Sequence, residues 1–323
     1  MKKVAILCSG GDSQGMNTAI KIIVNMSSVY NIEVVGIRRG FQGLIENDIL
    51  PLNNDVVQNI YNLGGCFLKV SRCEAFKTPA GVKKGFDTLK KNKIDCLIVI
   101  GGNGSYRGAM ELVELGANVI ALPGTIDNDL YYTERTLGFD TAVNNAVNAI
   151  DNIRQTMDAQ DHAVVIETMG RDCGNIALNV AVAVQAHSVA VKENNTKIKD
   201  IVSDVRKCLN NEVTASPIIV MSEALDYTVD DVKAQLEKDL GIATRTTILG
   251  YLQRGGAPSV LDRTIATQMG ISSIYLIKEN KYNLALGIKD GEVFEIDLNT
   301  AVEAKRYFNF ELLDQLKSLY KLN

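Results

Sequence analysis

An α/β protein with mostly parallel sheets is the fold class that this 323-residue sequence predicts. Short apolar runs alternate with longer stretches of helical periodicity, the pattern of strand followed by helix. Glycine clusters stand at the C-terminal ends of those runs, where a parallel sheet turns into its next helix. Ligands of such sheets bind outside the C-terminal ends of the strands. The glycine loops should therefore converge and carry the chemistry.

Val4 to Cys8 reads as the first strand, Ser9 to Gly15 as a glycine loop, and Met16 to Val29 as a helix whose buried stripe is Ile20, Ile23, Val24 and Val29. Glu33 to Ile37 is the next strand, with a turn at Arg38, Arg39 and Gly40. Gly64 to Arg72 is irregular and ends in a cation; on its own Arg72 reads as a solvated side chain. Gly81 to Lys91 is an amphipathic helix leading into the strand Cys96 to Ile100. Gly101, Gly102, Asn103, Gly104 and Ser105 follow, then a helical pattern through Ala109, Met110, Leu112, Val113 and Leu115. Strand, glycine turn and helix start form a phosphate-binding geometry, because glycine lets backbone approach an anion and a helix N-terminus offers free amides and a positive dipole end. The Ser9 to Gly15 loop is a second such cradle.

Val119 to Leu122, bounded by Gly116 and Pro123, is a buried strand that opens into PGTIDND. If that loop is extended, Asp127 and Asp129 point the same way and face one ligand, a proton acceptor beside a magnesium partner. The plainer alternative is a polar turn that caps the next helix. Asp140 to Ala159 is a long helix, and Ala163 to Thr168 a strand opening into Met169 to Gly174. Pro217 to Ser222 is a strand ending at Glu223. The glycine-bounded segment Thr244 to Pro258 carries Arg245 and Arg254, and the helix Ser259 to Glu279 follows. Leu284 to Lys289 and Glu292 to Asp297, joined by Asp290 and Gly291, form a β-hairpin. No repeat or low-complexity linker interrupts the chain.

Composition narrows the function classes. The chain is 46% hydrophobic and 22% charged with a net charge of −4, which argues against sequence-independent nucleic-acid binding. No stretch approaches the roughly 18 apolar residues of a membrane span, and the run behind Lys2 and Lys3 is too short for a signal segment. A cytoplasmic protein without membrane or nucleic-acid partners is expected. Six cysteines without CxxC spacing read as reduced thiols, and two histidines argue against a histidine-based metal site.

SGGDSQGMN at 9 to 17, IGGNGSYRGA at 100 to 109, LPGTIDND at 122 to 129, MGRDCG at 169 to 174 and LGYLQRGGAP at 249 to 258 resemble, in order and spacing, the motifs of bacterial ATP-dependent 6-phosphofructokinases. The likeness runs to about residue 310. It implies two similar three-layer α/β/α domains with the active site in the cleft between them. One comprises 1–138 plus about 253–303 and binds ATP; the other comprises 139–252 plus about 304–323 and binds the sugar phosphate. It implies phosphorylation of fructose 6-phosphate at the 1-hydroxyl, a step of glycolysis, with ATP as donor and Mg²⁺ as metal. Asp127 resembles the base, which need only be positioned because an ordinary aspartate is ionised at pH 7. Thr125 and Ile126 flank it, and Asp129 is similar to a magnesium partner. Arg72 and Arg171 resemble the cations that stabilise the transferring group. Gly11 and Gly102 to Ser105 resemble the ATP phosphate loops. Met169, Gly170, Arg171, Glu223, Arg245 and Arg254 match the sugar-phosphate site. The resemblance also implies a homotetramer in which the positions of His162 and Arg245 reach a neighbour's active site. Gly104 and Gly124 favour ATP over pyrophosphate, since pyrophosphate-using relatives carry Asp and Lys there.

Several positions depart from that pattern. Asn103 replaces an aspartate that helps hold magnesium, which should weaken metal affinity. His162 replaces an arginine and Tyr251 a histidine, both at the sugar phosphate. Cys73 stands at a commonly aromatic position near the adenine. The effector site of regulated relatives is represented by Lys21, Asn25, Asn54 and Arg154, and Leu209 to Pro217 contains no lysine. These departures leave an alternative reading: a catalytically weakened or regulatory homologue, partnering a standard enzyme in a mixed tetramer, or a kinase for another phosphosugar. A NAD-kinase-like or lipid-kinase-like reading, prompted by the GGDG-type loop, is opposed by PGTIDND and QRGG.

Overall fold

The computed structural model describes residues 1–319 and contains two compact units. Met1–Thr141 and Arg254–Arg306 form the first; Ala142–Gln253 and the segment from Tyr307 form the second. Residues 320–323, which end the range expected for the sugar-phosphate domain, lie outside the described part. The strands are β1 (Lys3–Ser9), β2 (Glu33–Ile37), β3 (Ile49–Leu52), β4 (Cys96–Gly101), β5 (Val119–Pro123) and β6 (Ala163–Thr168). They continue with β7 (Ser188–Ala190), β8 (Ile218–Ser222), β9 (Thr244–Ile248), β10 (Leu284–Lys289) and β11 (Glu292–Asp297). The helices are α1 (Met16–Val29), α2 (Gly40–Glu46), α3 (Pro79–Lys91), α4 (Asn103–Glu114), α5 (Phe139–Asp158) and α6 (Asn175–Ala183). After them come α7 (Ile198–Asn210), α8 (Val229–Leu240), α9 (Val260–Lys278), α10 (Leu298–Val302) and α11 (Phe310–Leu319).

The first unit's sheet has the order β11-β10-β5-β4-β1-β2-β3. Its five middle strands run parallel, while β3 and β11 add antiparallel edges. Continuous apolar runs form these strands because both faces are covered. Val4, Ile6 and Cys8 of β1 join Cys96, Ile98 and Ile100 of β4 in one cluster, with Ile20 and Ile23 of α1 and Met269 of α9. The alternate residues Ala5, Leu7, Leu97 and Val99 face Leu44 of α2, Phe86 of α3 and Leu112 of α4. Each such Leu or Ile contributes about 1.5–3 kcal/mol on full burial. The second unit's sheet, β7-β8-β6-β9, is parallel throughout. Ile219, Met221 and Val165 of that sheet pack on Val202 and Val205 of α7 and on Leu236 of α8.

Of the elements absent from the sequence reading, three have a local reason. Gly40 and Gly43 make α2 resemble a turn, yet Gly43 is needed because any side chain there would strike the Arg38 carbonyl. Pro51 disguises β3, which tolerates it as an edge strand. The polar sequence TRTTI conceals β9, also at an edge, with Arg245 and Ile248 exposed. The helix α3 begins two residues earlier than the periodicity suggests, with Pro79 in its first turn behind the capping side chain of Thr78. The hairpin of β10 and β11 turns at Asp290 and Gly291, both left-handed, as the DG pair predicts.

Candidate active site

Strand register positions the first unit's site. Ser9 of β1 stands opposite Gly101 of β4, and Gly101 opposite Pro123 of β5. Three parallel neighbours thus end level, and the loops Gly10 to Gly15, Gly102 to Ser105 and Gly124 to Asp129 leave one edge side by side. Their backbones touch: the Gly124 amide donates to the Gly101 carbonyl at 3.0 Å. Gly101 itself must be glycine, since a Cβ there would collide with Ser105 and the Ser9 carbonyl. Ser105 and Tyr106 amides close the first turn of α4 on the Gly102 carbonyl, leaving the Asn103 and Gly104 amides without helical partners. That end of α4 suits an anion.

The loop after β5 is not extended. Asn128 has φ of 50°, so the alternation that would aim Asp127 and Asp129 alike is broken between them. The loop is shaped instead by its own bonds. Thr125 Oγ1 accepts from the Asp127 amide at 3.2 Å, Thr136 Oγ1 donates to the Thr125 carbonyl at 2.6 Å, and Asn128 Nδ2 donates to the Glu134 carbonyl at 3.0 Å. Gly124 bridges to Leu137, and Ile126 is buried beneath. Both carboxylates stay on the same short loop without the predicted parallel aim.

Arg254 lies over the first loop. Its guanidinium pairs with the Asp12 carboxylate, and a Cβ added to Gly11 would meet Arg254 Nη2 at 2.8 Å. Gln14 Nε2 donates to the Gly255 carbonyl at 2.8 Å, a second tie between the nucleotide-type loop and the QRGG segment. Neither tie is visible in sequence, because some 240 residues separate the partners. Ser71 donates to the Arg39 carbonyl just past β2, which brings exposed Arg72 to the same edge of the sheet. The Cys73 thiol donates to Gln42 Oε1 at 3.1 Å.

Asn103 Oδ1 is buried and has no hydrogen-bond partner. Such an orphaned oxygen is costly unless a ligand meets it. Among the described residues no three His, Cys, Asp or Glu side chains gather as a metal cluster. A lone amide oxygen and the Asp129 carboxylate on neighbouring loops fit magnesium, which takes few protein oxygens and completes its shell with water and phosphate. The two glycines tied to donor choice differ. A Cβ at Gly104 meets nothing within 4 Å, whereas one at Gly124 would meet Ile100 Cγ2 at 2.9 Å and Met16 Cε at 3.1 Å. A side chain at 124 would start towards the core, so Gly104 is the position open to a donor-excluding carboxylate.

In the second unit, β6 opens into Met169 and β8 into Glu223. Glu223 Oε1 accepts the amides of Gly170 at 3.1 Å and Arg171 at 2.7 Å, and the Glu223 amide donates to the Thr168 carbonyl. Gly170, with φ of 145° and the Cys173 carbonyl 2.5 Å from any Cβ, cannot be another residue without strain. The Gly170 amide is thus engaged by Glu223, and this backbone builds the loop that aims exposed Arg171. Burial, and then the Glu223 charge, raise the pKa of neighbouring Glu167 from its ordinary value. Exposed Tyr251 follows β9 at the same edge, since the Leu249 amide donates to the Glu167 carbonyl.

His162 and Arg245 do not converge with these residues. His162 precedes β6, and Arg245 pairs in register with Val164 near the start of that strand. Strand rise of about 3.3 Å per residue separates them from Met169 by roughly 20 Å. Within the second unit these two positions therefore lie at the opposite end of the sheet from Met169 and Glu223. Among the described residues no helix is long and apolar enough to cross a membrane.

Residues 3–277 match the family model described as phosphofructokinase. The ATP-dependent 6-phosphofructokinase of Clostridioides difficile strain 630 is 40% identical over 99% of this chain and 99% of its own. That of Alkaliphilus metalliredigens strain QYMF is 42% identical, again over 99% of each chain. A phosphofructokinase from Saccharomyces cerevisiae aligns with a TM-score of 0.90 and 26% identity over 98% of this chain, which spans 50% of the yeast chain. A pyrophosphate-dependent phosphofructokinase from Marinobacter aquaeolei, at 19% identity and a TM-score of 0.86, shares the fold. By this full-length likeness the chain belongs to the phosphofructokinase family.

Proposed function

We propose that this chain transfers the γ-phosphoryl group of ATP to the 1-hydroxyl of fructose 6-phosphate, giving fructose 1,6-bisphosphate in glycolysis. The observation that carries the reading is the level ending of β1, β4 and β5, which sets two anion-type glycine loops beside the Asp127 loop. Gly11 and Gly102 to Ser105 hold the ATP phosphates with backbone amides. Asp127 accepts the proton of the attacking hydroxyl, and Thr125 fixes the start of its loop. Arg72 and Arg171, both exposed, neutralise charge that develops on the transferring group. Asn103 and Asp129 would hold Mg²⁺, which when bound supplies charge neutralisation on the phosphates. Glu223, Met169, Gly170, Tyr251 and Arg254 serve the sugar phosphate.

His162 and Arg245 act on the site of a neighbouring copy in a homotetramer. Their place at the far end of the second sheet from Glu223 supports that assignment, since within their own chain they have no route to it. The names of the curated relatives favour a working kinase over the regulatory alternative. A coupled assay with ATP, Mg²⁺ and fructose 6-phosphate tests the reading. Formation of fructose 1,6-bisphosphate is expected, and its absence with properly folded protein would sink the proposal.

A further inference from the structure

Asn103 and Gly104 open α4 and form the one Asn-Gly pair in the sequence; every other asparagine with a successor precedes a residue that carries a side chain. An asparagine is consumed chemically when the next residue's amide nitrogen reaches its side-chain carbon. Glycine permits that approach, because it bends freely and puts no side chain in the way. Gly104 is exposed, and a Cβ there would meet nothing within 4 Å, so its backbone has room to move. The first turn of α4 does not tie the attacking nitrogen down. Its closing bonds come from the Ser105 amide at 2.9 Å and the Tyr106 amide at 3.1 Å, both onto the Gly102 carbonyl, and the Gly104 amide has no helical partner. The positive end of the helix also favours the negative nitrogen that attacks. The target is equally uncommitted, since Asn103 Oδ1 is buried without a hydrogen-bond partner. Asparagines on exposed turns elsewhere lack this freedom. After Asn31 the Ile32 amide donates to the Ser27 carbonyl at 2.9 Å, and after Asn47 the Asp48 amide donates to the Gly43 carbonyl at 2.8 Å.

We propose that Asn103 is a site of self-modification, at which the side-chain amide is lost as ammonia and a carboxylate takes its place. The Gly104 nitrogen bonds to Asn103 Cγ, the Cγ–Nδ2 bond breaks, and the Gly104 amide proton leaves with Nδ2 as ammonia, closing a cyclic imide. Water then adds at Cγ, the bond from Cγ to the Gly104 nitrogen breaks, and that nitrogen regains its proton. Position 103 is left as an aspartate on a normal backbone. Water enters, ammonia leaves, and nothing is oxidised or reduced. Opening of the imide at its other carbonyl would add a methylene to the backbone and pull the Ser105 and Tyr106 amides off the Gly102 carbonyl, so the fold directs the product to aspartate. The new charge sits at the helix end whose dipole favours it. Beside the Asp129 loop it offers a divalent cation a second full charge. That consequence rests on the functional reading above, whereas the modification itself does not.

The test incubates the folded, full-length protein at mildly alkaline pH, digests aliquots over days and maps the peptides by mass. A growing fraction of the peptide that spans Asn103 should gain the mass of an amide turned to an acid, with ammonia released in equal amount. Fragmentation should place the change at that residue as aspartate. Gly104→Ala, whose Cβ enters open space, should lose nearly all of that gain over the same incubation. A wild type that keeps its amide, or a gain that proceeds equally in Gly104→Ala, would overturn the site; fragmentation showing isoaspartate would overturn the direction of opening. Magnesium, titrated by calorimetry into protein saturated with a non-hydrolysable ATP analogue, should bind on the order of tenfold more tightly to Asn103→Asp than to fresh wild type, the scale of one charge-assisted contact. Incubated wild type should move towards the value of that variant. Equal affinities would refute the metal reading alone, because the peptide masses do not depend on it.

Discussion

At the scale of single residues the proposed base gives the sharpest expectation. Asp127→Asn keeps the shape and the amide bond to Thr125 Oγ1 but removes the proton acceptor. Turnover should fall by on the order of 10²–10⁴, the usual worth of a positioned base, while ATP affinity measured by calorimetry stays close to wild type. Retention of wild-type turnover would remove Asp127 from the mechanism. Gly104 tests the donor. Because a Cβ there meets open space, Gly104→Asp should fold with an unchanged melting temperature. Its carboxylate would face the anion at the start of α4 and should weaken ATP binding by about tenfold or more, the reverse of the favourable charge-assisted contact. A variant that binds ATP normally would show that the phosphates lie elsewhere.

Among elements, the start of α5 is joined to α9 by one buried carboxylate together with Ser259, whose amide donates to Thr141 Oγ1 and whose hydroxyl donates to Asp140. Asp262, in the first turn of α9 behind the capping Ser259, accepts from the Gly138 and Thr141 amides at 2.9 Å each and from the Thr141 hydroxyl. It caps the start of α5 from another helix, which single-sequence pattern reading cannot see because the partners lie over 120 residues apart. Asp262→Ala would strand two buried amides and should cost about 3 kcal/mol, read as a drop in the denaturant midpoint. A cost below about 1 kcal/mol would mean that water replaces the carboxylate. His187 supplies the pH dependence of the second unit. Burial first, and the Arg154 charge second, lower its pKa from the ordinary 6.5 to about 4, against an opposing pull from Asp158; the Ile218 amide donates to Nδ1, which suits the neutral ring. The unfolded chain therefore binds the proton more readily between those values. Stability from this group is complete above pH 6.5 and declines as pH falls towards 4, by up to about 3 kcal/mol. The difference between wild type and His187→Gln in midpoint against pH should show this slope; parallel profiles would assign it to carboxylates. Helices α1 and α5 were legible because apolar periodicity and burial agree along most of their length, although Val29, expected on the buried stripe of α1, is exposed at its C-terminal end. Edge strands β3 and β9 were not, since half their surface needs no apolar residue.

For the whole molecule, motif order made most of the candidate site readable, because parallel strands place consecutive glycine loops on one edge whatever the intervening sequence. What escaped were contacts between distant segments, such as Arg254 with Asp12 and Gln14 with Gly255, and the position of His162 and Arg245 at the opposite end of their sheet. The same limit bears on regulation. The resemblance implies a second phosphate site for ADP or phosphoenolpyruvate between subunits of regulated relatives, at positions where this chain has Lys21, Asn25, Asn54 and Arg154. The two cations left there are already committed. Lys21 Nζ donates to the Gln58 carbonyl at 2.7 Å and lies 5.0 Å from the Tyr61 ring, and Arg154 donates to the Val184 carbonyl. Asn54 bonds Ser28 at 3.3 Å, and Leu209 to Pro217 offers Glu212 in place of lysine. An anionic effector would have to break these contacts and would meet a carboxylate, forfeiting several charge-assisted bonds of about 1.5–3 kcal/mol each. We therefore expect fructose 6-phosphate affinity to be unmoved by ADP or phosphoenolpyruvate at fixed free magnesium. A saturable shift at sub-millimolar effector, lost in Lys21→Ala or Arg154→Ala, would show that the two side chains exchange their intramolecular partners for the ligand and that the control site persists.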